Sequence, residues 1–173
     1  MIRNPYAAGS YYPGSASELK KMVAGFVDKE VPKQEVIGVL MPHAGYPYSG
    51  AVAGATISRV IFKDTFIIIG PSHSGRGKPF SVMAEGTWRT PLGDVEVDTD
   101  LAGEIIEGSG YLEADDAAHK AEHAVEIQLP FLQYINPAVK IVPIILANAP
   151  AAVYRDIGRD ISRAIQVLDR EVV

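Results

Sequence analysis

Two of the four histidines in the chain follow apolar runs that predict buried strands. His43 comes directly after residues 36–41 and a proline, and His73 comes shortly after residues 65–69. Because the carboxyl ends of parallel strands meet at one edge of a sheet, we expect both imidazoles to face one cleft. Imidazole is a common metal ligand and a proton carrier near neutral pH. The spacing therefore predicts one shared site, with a hydrogen-bonded surface or core role as the alternative for each histidine.

The other two histidines, His119 and His123, lie four residues apart beside Glu122 and Glu126. On a helix these side chains share a face, and such a pair with carboxylates can bind a metal ion. The zinc-protease motif, however, requires Glu directly after the first histidine, and this spacing also arises by chance in charged helices. We therefore predict no self-contained metal site in this segment.

Four further residues are candidates for the wall of the cleft. Tyr46 closely follows His43 and lies either in a turn held by hydroxyl groups or in the wall of the cleft. Tyr11 lies in an amino-terminal segment that could fold over the opening, with an ordered amino-terminal loop as the alternative. Arg89 lies in a Pro/Gly turn, where it could pair with a substrate anion or belong to a simple hairpin. Ser72 precedes His73 without the Gly-x-Ser-x-Gly elbow, so a serine nucleophile is weakly supported, and no phosphate-binding Gly-rich loop is present.

The apolar pattern predicts the elements that hold these residues. A strand, a helix and a second strand follow each other around His43 and His73, which is typical of a parallel sheet. Ser15 and Glu18 form a capping-box sequence for the first helix, and Asp98 is a predicted cap for a later one. We predict strands at residues 36–41, 65–69, 80–83, 95–97 and 139–146, helices at 17–27, 50–60, 100–107, 117–135 and 152–168, and the start of a strand at 171–173.

The composition fits one globular domain of 173 residues, with 47% hydrophobic and 21% charged residues. The formal net charge of −5 and the absence of a basic run argue against a nucleic-acid partner. The sequence has no cysteine, no secretory signal pattern and no apolar run long enough to cross a bilayer. We therefore expect a cytoplasmic protein that has no membrane partner.

Several motifs together resemble the Memo family. The matching segments are AGSYYP (8–13), PHAGYPYSG (42–50), GPSH (70–73), WRTPLG (88–93) and EHAVEIQLPFL (122–132). The resemblance implies an α/β fold, a three-layer α/β/α sandwich around a mostly parallel sheet, similar to the class III extradiol ring-cleaving dioxygenases. Residues 1–173 would then form a single domain that covers roughly the amino-terminal two-thirds of the family's usual length, so we expect the chain to be truncated at its carboxyl end.

The same resemblance implies roles for individual residues. His43 and His73 would bind a divalent metal, Fe(II) first, with Cu and Zn as alternatives. Glu122 and His123 would belong to the same cleft as catalytic residues, in a proton relay or behind the ligands. The third protein ligand would lie outside this chain. His119 falls outside the family pattern.

Three hypotheses for function follow. The first is an iron-dependent, oxygen-activating enzyme related to the dioxygenases, although a shared fold does not fix chemistry. The second is a non-catalytic regulatory module that binds a small molecule or a peptide in the same cleft, because animal members of the family are associated with cell motility signalling. The third is a metal-handling protein without turnover. Turnover needs an open metal position and a substrate pocket, whereas metal handling needs only the ligands.

Overall fold

The computed structural model describes residues 1–173 as seven strands and six helices. The strands are β1 (Ile2–Arg3), β2 (Thr65–Pro71), β3 (Phe80–Val82), β4 (Thr87–Thr90), β5 (Gly93–Val97), β6 (Glu113–Ala114) and β7 (Lys140–Leu146). The helices are α1 (Ala16–Phe26), α2 (Tyr46–Ile57), α3 (Thr99–Gly108), α4 (His123–Glu126), α5 (Leu129–Ile135) and α6 (Ala151–Val167).

All seven strands form one sheet around β7. Strand β7 pairs with β2 on one edge and with β5 and β3 on the other, and the order from β1 is β1-β4-β5-β7-β3-β6. Four of the six pairings are parallel, and only β3 with β7 and β4 with β5 are antiparallel. Strand β7 is buried along most of its length, as expected for a strand covered on both faces. The predicted mostly parallel sheet is confirmed.

The helices form two packed groups beside this sheet. Helix α1 packs against α2 and α5, and α3 packs against α6. The core joins both groups to the sheet through a single cluster of 32 buried apolar residues. This arrangement confirms the predicted three-layer α/β/α class. None of the six helices combines the length and the apolar character that a membrane crossing requires.

Most predicted elements are present, but the helix predicted over residues 117–135 is wrong. Residues 117–121 form turns, and only α4 and α5 are helical. Helix α4 begins at His123 because the Glu122 carboxylate accepts a hydrogen bond from the Ala124 amide. A new helix, α5, starts at Leu129, and Pro130 lies in its first turn because proline lacks the amide that an unbroken helix needs. His119 and His123 therefore do not share a helix face.

Two further local predictions are corrected or refined. Ser15 is the N-cap of α1, but its hydroxyl contacts Ser17 instead of an amide, so the predicted capping box does not form. Asp98 does cap α3, accepting a hydrogen bond of 3.2 Å from the Leu101 amide. Trp88 is fully buried in the core.

The strand predicted over residues 36–41 is also absent. This segment has no strand partner, and the nearest backbone pairing is a single bridge between Gln34 and Val60. Ile37 and Leu40 are almost fully exposed. A strand needs backbone partners on a neighbouring strand, and residues 36–41 form no backbone hydrogen bond with β2. The segment still places His43 beside the carboxyl end of β2.

Candidate metal centre

Three histidines from three parts of the chain meet in one cluster. His43 precedes α2, His73 follows β2, and His123 is the first residue of α4. The ring centroids of His43 and His73 are 5.2 Å apart, and His123 lies 5.9 Å and 4.4 Å from them. One nitrogen of each ring lies within 4.8 Å of the other two. His43 and His73 are therefore brought together, as their spacing predicted.

Close packing of α4 on β2 makes this meeting possible. A Cβ atom on Gly70 would lie only 3.1 Å from the Cβ of Ala124. The glycine at the end of β2 therefore lets the start of α4 approach the sheet. The approach brings Glu122 and His123 beside His73, which stands two residues after the end of β2.

The Glu122 carboxylate holds His73 in position from behind. It is fully buried and accepts hydrogen bonds from the His73 amide and the Ala124 amide, each at 2.9 Å. Burial alone raises the pKa of Glu122, but these amides and the His73 ring outweigh burial, and the net pKa lies below its ordinary value. An ionised carboxylate only accepts hydrogen bonds, so the His73 Nδ1 at 2.8 Å carries the proton. In the neutral ring this tautomer leaves the Nε2 lone pair for a ligand.

His123 occupies the less exposed side of the cluster. Its side chain is 14% exposed, against 41% for His73, and its Nδ1 lies 3.5 Å from Glu122. The Tyr11 ring packs on it with centroids 4.5 Å apart. Burial, followed by the neighbouring His73 and His43, lowers the pKa of His123. The neutral ring, which is the form that binds a metal, is thereby favoured.

The donor set fits a transition metal such as Fe(II), Cu(II) or Zn(II), because imidazole suits all three. Two nitrogens on one ion at about 2.1 Å can lie at most about 4 Å apart, so binding would draw the rings slightly together. The sequence alone indicated a third ligand outside this chain and a proton-relay role for His123. The geometry differs from that expectation, because His123 offers a third nitrogen within reach of the other two.

The amino-terminal segment that carries Tyr11 is fixed by Glu126. This fully buried carboxylate forms a short ion pair with Arg3 and accepts hydrogen bonds from the Tyr12 hydroxyl at 2.6 Å and the Ala7 amide at 2.8 Å. Burial and the charge of Glu126 raise the pKa of Tyr12 well above its ordinary value. The Tyr11 carbonyl in turn accepts a hydrogen bond from the amide at the start of α2.

This network was not predicted from the sequence. Arg3 and Glu126 are 123 residues apart along the chain, and neither residue belongs to a recognisable paired motif. Arg3 also reaches the backbone carbonyls of His119 and Glu122 and packs over Trp88 at 4.3 Å. The arginine therefore ties the amino terminus to the segment that carries the cluster.

The remaining predicted cleft residues are dispersed. Tyr46 is buried in the core, where its hydroxyl donates to the Ile127 carbonyl at 2.7 Å. Ser72 lies half-buried at the end of β2, beside His73. Arg89 lies on β4, where its guanidinium forms a two-bond pair with Asp94, and none of its contacts is with the histidine cluster. Only Tyr11 among the four packs directly on a histidine of the cluster.

His119 stands apart from the cluster. Its ring is fully buried, lies edge-on to Trp88, and has Nε2 3.2 Å from the Ser81 hydroxyl. Its Nδ1 has no hydrogen-bond partner. Burial lowers the pKa of His119 to about 4. This histidine is a neutral core residue at pH 7.

Comparisons with known proteins agree with these features. The sequence profile of the family described as "Memo-like protein" matches residues 3–173. The chain is 40% identical over its full length to a "MEMO1 family protein" of Thermococcus onnurineus and 44% identical to one of Thermococcus kodakarensis. It is 39% identical, over 99% of its length, to one of Methanococcoides burtonii. The chain spans 62% of the length of both Thermococcus relatives and 65% of the third.

Proposed function

The chain belongs to the Memo family, and on that premise we propose that His43, His73 and His123 together bind one divalent metal ion. Fe(II) is the first choice, and Cu and Zn are the alternatives. The observation that carries the proposal is the convergence of three imidazole nitrogens from separate elements within 4.8 Å. Two of the three rings also share one buried carboxylate, which a chance contact between surface histidines would not provide.

Electrostatics also support a cation at this position. Glu122 is fully buried and ionised, yet its only side-chain partners are the rings of His73 and His123. No Lys or Arg side chain pairs with it. A buried carboxylate without a permanent counter-charge is costly, and a bound cation beside it would offset that cost.

Within this centre each residue has a distinct task. Glu122 fixes the His73 ring by accepting its Nδ1 proton, an arrangement that orients metal-binding histidines in many proteins. Tyr11 covers one face of His123. The exposed side of His73 leaves an approach from solvent.

We further propose that the centre serves an oxygen-activating oxidoreductase that acts on a small catechol-like molecule. Three protein ligands leave coordination positions open, and a bound Fe(II) ion would supply Lewis-acid and one-electron redox chemistry there. Glu122, which is not one of the three ligands, would hold a proton that such a substrate releases. The cleft itself, lined by Tyr11 and Ser72 near the histidines, would orient the small molecule.

Metal binding is tested first with matched histidine variants. Fe(II), Cu(II) and Zn(II) affinities are measured by calorimetry, Fe(II) under anaerobic conditions, for the parent and for His43→Ala, His73→Ala and His123→Ala. We expect each of these variants to bind at least about 100-fold more weakly. His119→Asn is the control, because His119 is the one histidine outside the cluster, and it should bind like the parent. Equal affinities in all five proteins would overturn the proposal.

Turnover is tested separately by oxygen uptake of the Fe(II)-loaded chain with a panel of catechols. The expected result is oxygen consumption that disappears in the three cluster variants. If metal binding requires the cluster but no catechol consumes oxygen, the metal-handling hypothesis replaces the oxidoreductase. If neither metal nor catechol binds, a regulatory module that binds a peptide is the remaining hypothesis.

A further inference from the structure

Of the three clustered histidines, His43 has the weakest support of its own. The ring and the amide of His73 both contact the Glu122 carboxylate, and His123 is fixed as the first residue of α4. The His43 ring packs against the other two rings but forms no hydrogen bond. It also ends a stretch, residues 36–43, that lies outside every helix and strand. The position of His43 therefore depends on how the backbone of this stretch is held.

One buried side chain, Gln128, holds that backbone. Its Nε2 donates hydrogen bonds to the Pro42 carbonyl at 3.1 Å and to the Ala124 carbonyl at 3.4 Å. The Pro42 carbonyl is the only backbone group of residues 36–43 that forms a hydrogen bond. The peptide bond that leads into His43 is therefore tied to α4 by this amide alone.

The orientation of the Gln128 amide is fixed by its surroundings. Both partners of Nε2 are carbonyl oxygens, which only accept, so the amide nitrogen must face them. The buried Oε1 on the other side has no hydrogen-bond partner. An unpaired buried acceptor costs free energy, and an apolar side chain of similar size would avoid that cost. Packing alone therefore does not account for a glutamine at this position, whereas its donor group does.

We propose that Gln128 is a positioning residue, which keeps His43 within reach of the other two ligands. This inference rests on the proposed metal centre. One short segment, residues 122–128, would then hold all three ligands, because it contains His123, the carboxylate behind His73 and the amide behind His43. The ligands would keep their relative positions because a single segment supports each of them.

The first test needs no metal. Gln128→Met keeps the length of the side chain and removes the donor. Gln133→Met is the matched control, because Gln133 is similarly buried and its Nε2 also donates to a carbonyl at 3.1 Å, that of Gly93 on the β4–β5 hairpin. Backbone ¹⁵N order parameters are measured in EDTA. We expect the value at the His43 amide to fall from about 0.85 to about 0.6 or less in Gln128→Met only, with His73 unchanged.

A second substitution guards against a methionine that repacks or disturbs folding. Gln128→Leu also lacks the donor, and it should loosen His43 in the same way if the lost hydrogen bond is the cause. An order parameter at His43 that stays at the parent value in either Gln128 variant overturns the proposal. Equal loosening in Gln133→Met overturns it as well, because the effect would then reflect general destabilisation.

The second test is a double-mutant cycle with Zn(II), measured by calorimetry. Gln128→Met should weaken Zn(II) binding about tenfold in the parent and in His73→Ala. It should have no further effect in His43→Ala, where the ligand that it positions is missing. A tenfold loss in His43→Ala too would overturn the proposal. A parent chain that binds no Zn(II) would refute the metal centre instead, and the order parameters in EDTA would still decide whether Gln128 fixes His43.

Discussion

Glu122 and Glu126 are both fully buried and lie four residues apart, yet their surroundings are opposite. Glu126 faces the amino-terminal segment, where it pairs with Arg3 and accepts hydrogen bonds from Tyr12 and two backbone amides. Glu122 faces the cleft, where its charge meets only neutral donors and the histidine rings. One carboxylate has a permanent cation beside it, and the other does not.

This difference separates a structural region from the proposed binding region. A buried ion pair that is complete within the chain gains nothing from a further ligand. A buried carboxylate that is flanked only by imidazoles retains a negative charge, and a cation would compensate it. Residue type alone does not distinguish the two, because both glutamates lie close to His123 in the same short segment. The partners of the two carboxylates distinguish the proposed binding side from the side that stabilises the fold.

The largest expected effect comes from breaking the complete pair. Glu126→Ala leaves the Arg3 guanidinium buried without a counter-charge, and we expect a loss of about 3–5 kcal/mol in the free energy of unfolding. Urea denaturation followed by circular dichroism measures it. Glu122→Ala is the companion variant. Its loss in the free energy of unfolding should be smaller, because it leaves no buried cation without a counter-charge. A larger loss in Glu122→Ala would reverse the comparison between the two carboxylates.

A second prediction concerns pH and the structural side of the segment. The pKa of His119 is lowered by burial from 6.5 to about 4. Between pH 6.5 and about pH 4, His119 is therefore protonated in the unfolded chain but neutral in the folded chain. Protonation of His119 therefore does not affect the free energy of unfolding above pH 6.5. As the pH drops to 4, it lowers the free energy of unfolding by roughly 3 kcal/mol.

Urea denaturation between about pH 7 and pH 4 tests this loss, with His119→Asn as the comparison. Groups other than His119 contribute equally to both proteins, so the difference between their pH profiles isolates the histidine. We expect a steeper acid loss in the parent than in the variant. Parallel profiles would mean that His119 is not held neutral by burial.

A smaller effect is expected from the cleft side. Glu122→Gln keeps an acceptor for the His73 ring but removes the negative charge, so metal affinity should fall about 10- to 100-fold. Calorimetry with Zn(II) measures this change. Glu126→Gln is the matched control, and it should leave the affinity unchanged because its carboxylate faces Arg3. An equal loss in both variants would show that both glutamates act only by holding the segment.

Local sequence patterns were sufficient to predict two strands of the sheet, the position of His73 and the family. The runs at residues 65–69 and 139–146 predicted β2 and β7, and the end of β2 predicted the position of His73. Five motifs spread along the chain, two of which contain His43 and His73, indicated the family, which the match over residues 3–173 confirms. These features are local because periodicity and strand ends are encoded in a few consecutive residues.

Three features could not be predicted from the sequence, because each depends on contacts with other parts of the chain. The Arg3–Glu126 pair joins the amino terminus to α4 across most of the chain. The break before α4 depends on a glutamate side chain that caps the new helix and also holds His73. The run at residues 36–41 has a strand sequence, but it pairs with no other strand, and residue types in one segment do not show whether a pairing forms.

The smallest expected effect tests whether a third charged side chain belongs to either region. The sequence made Arg89 a candidate for binding a substrate anion, but its guanidinium is paired with Asp94 on the surface of the β4–β5 hairpin. Exposed pairs contribute little to stability, so Arg89→Ala should leave the urea midpoint unchanged within error. Zn(II) affinity and catechol-dependent oxygen uptake should also match the parent. A rise in the catechol KM of Arg89→Ala alone would instead place Arg89 in the proposed substrate site. The proposed binding region would then include the β4–β5 hairpin in addition to the Glu122 side of the segment.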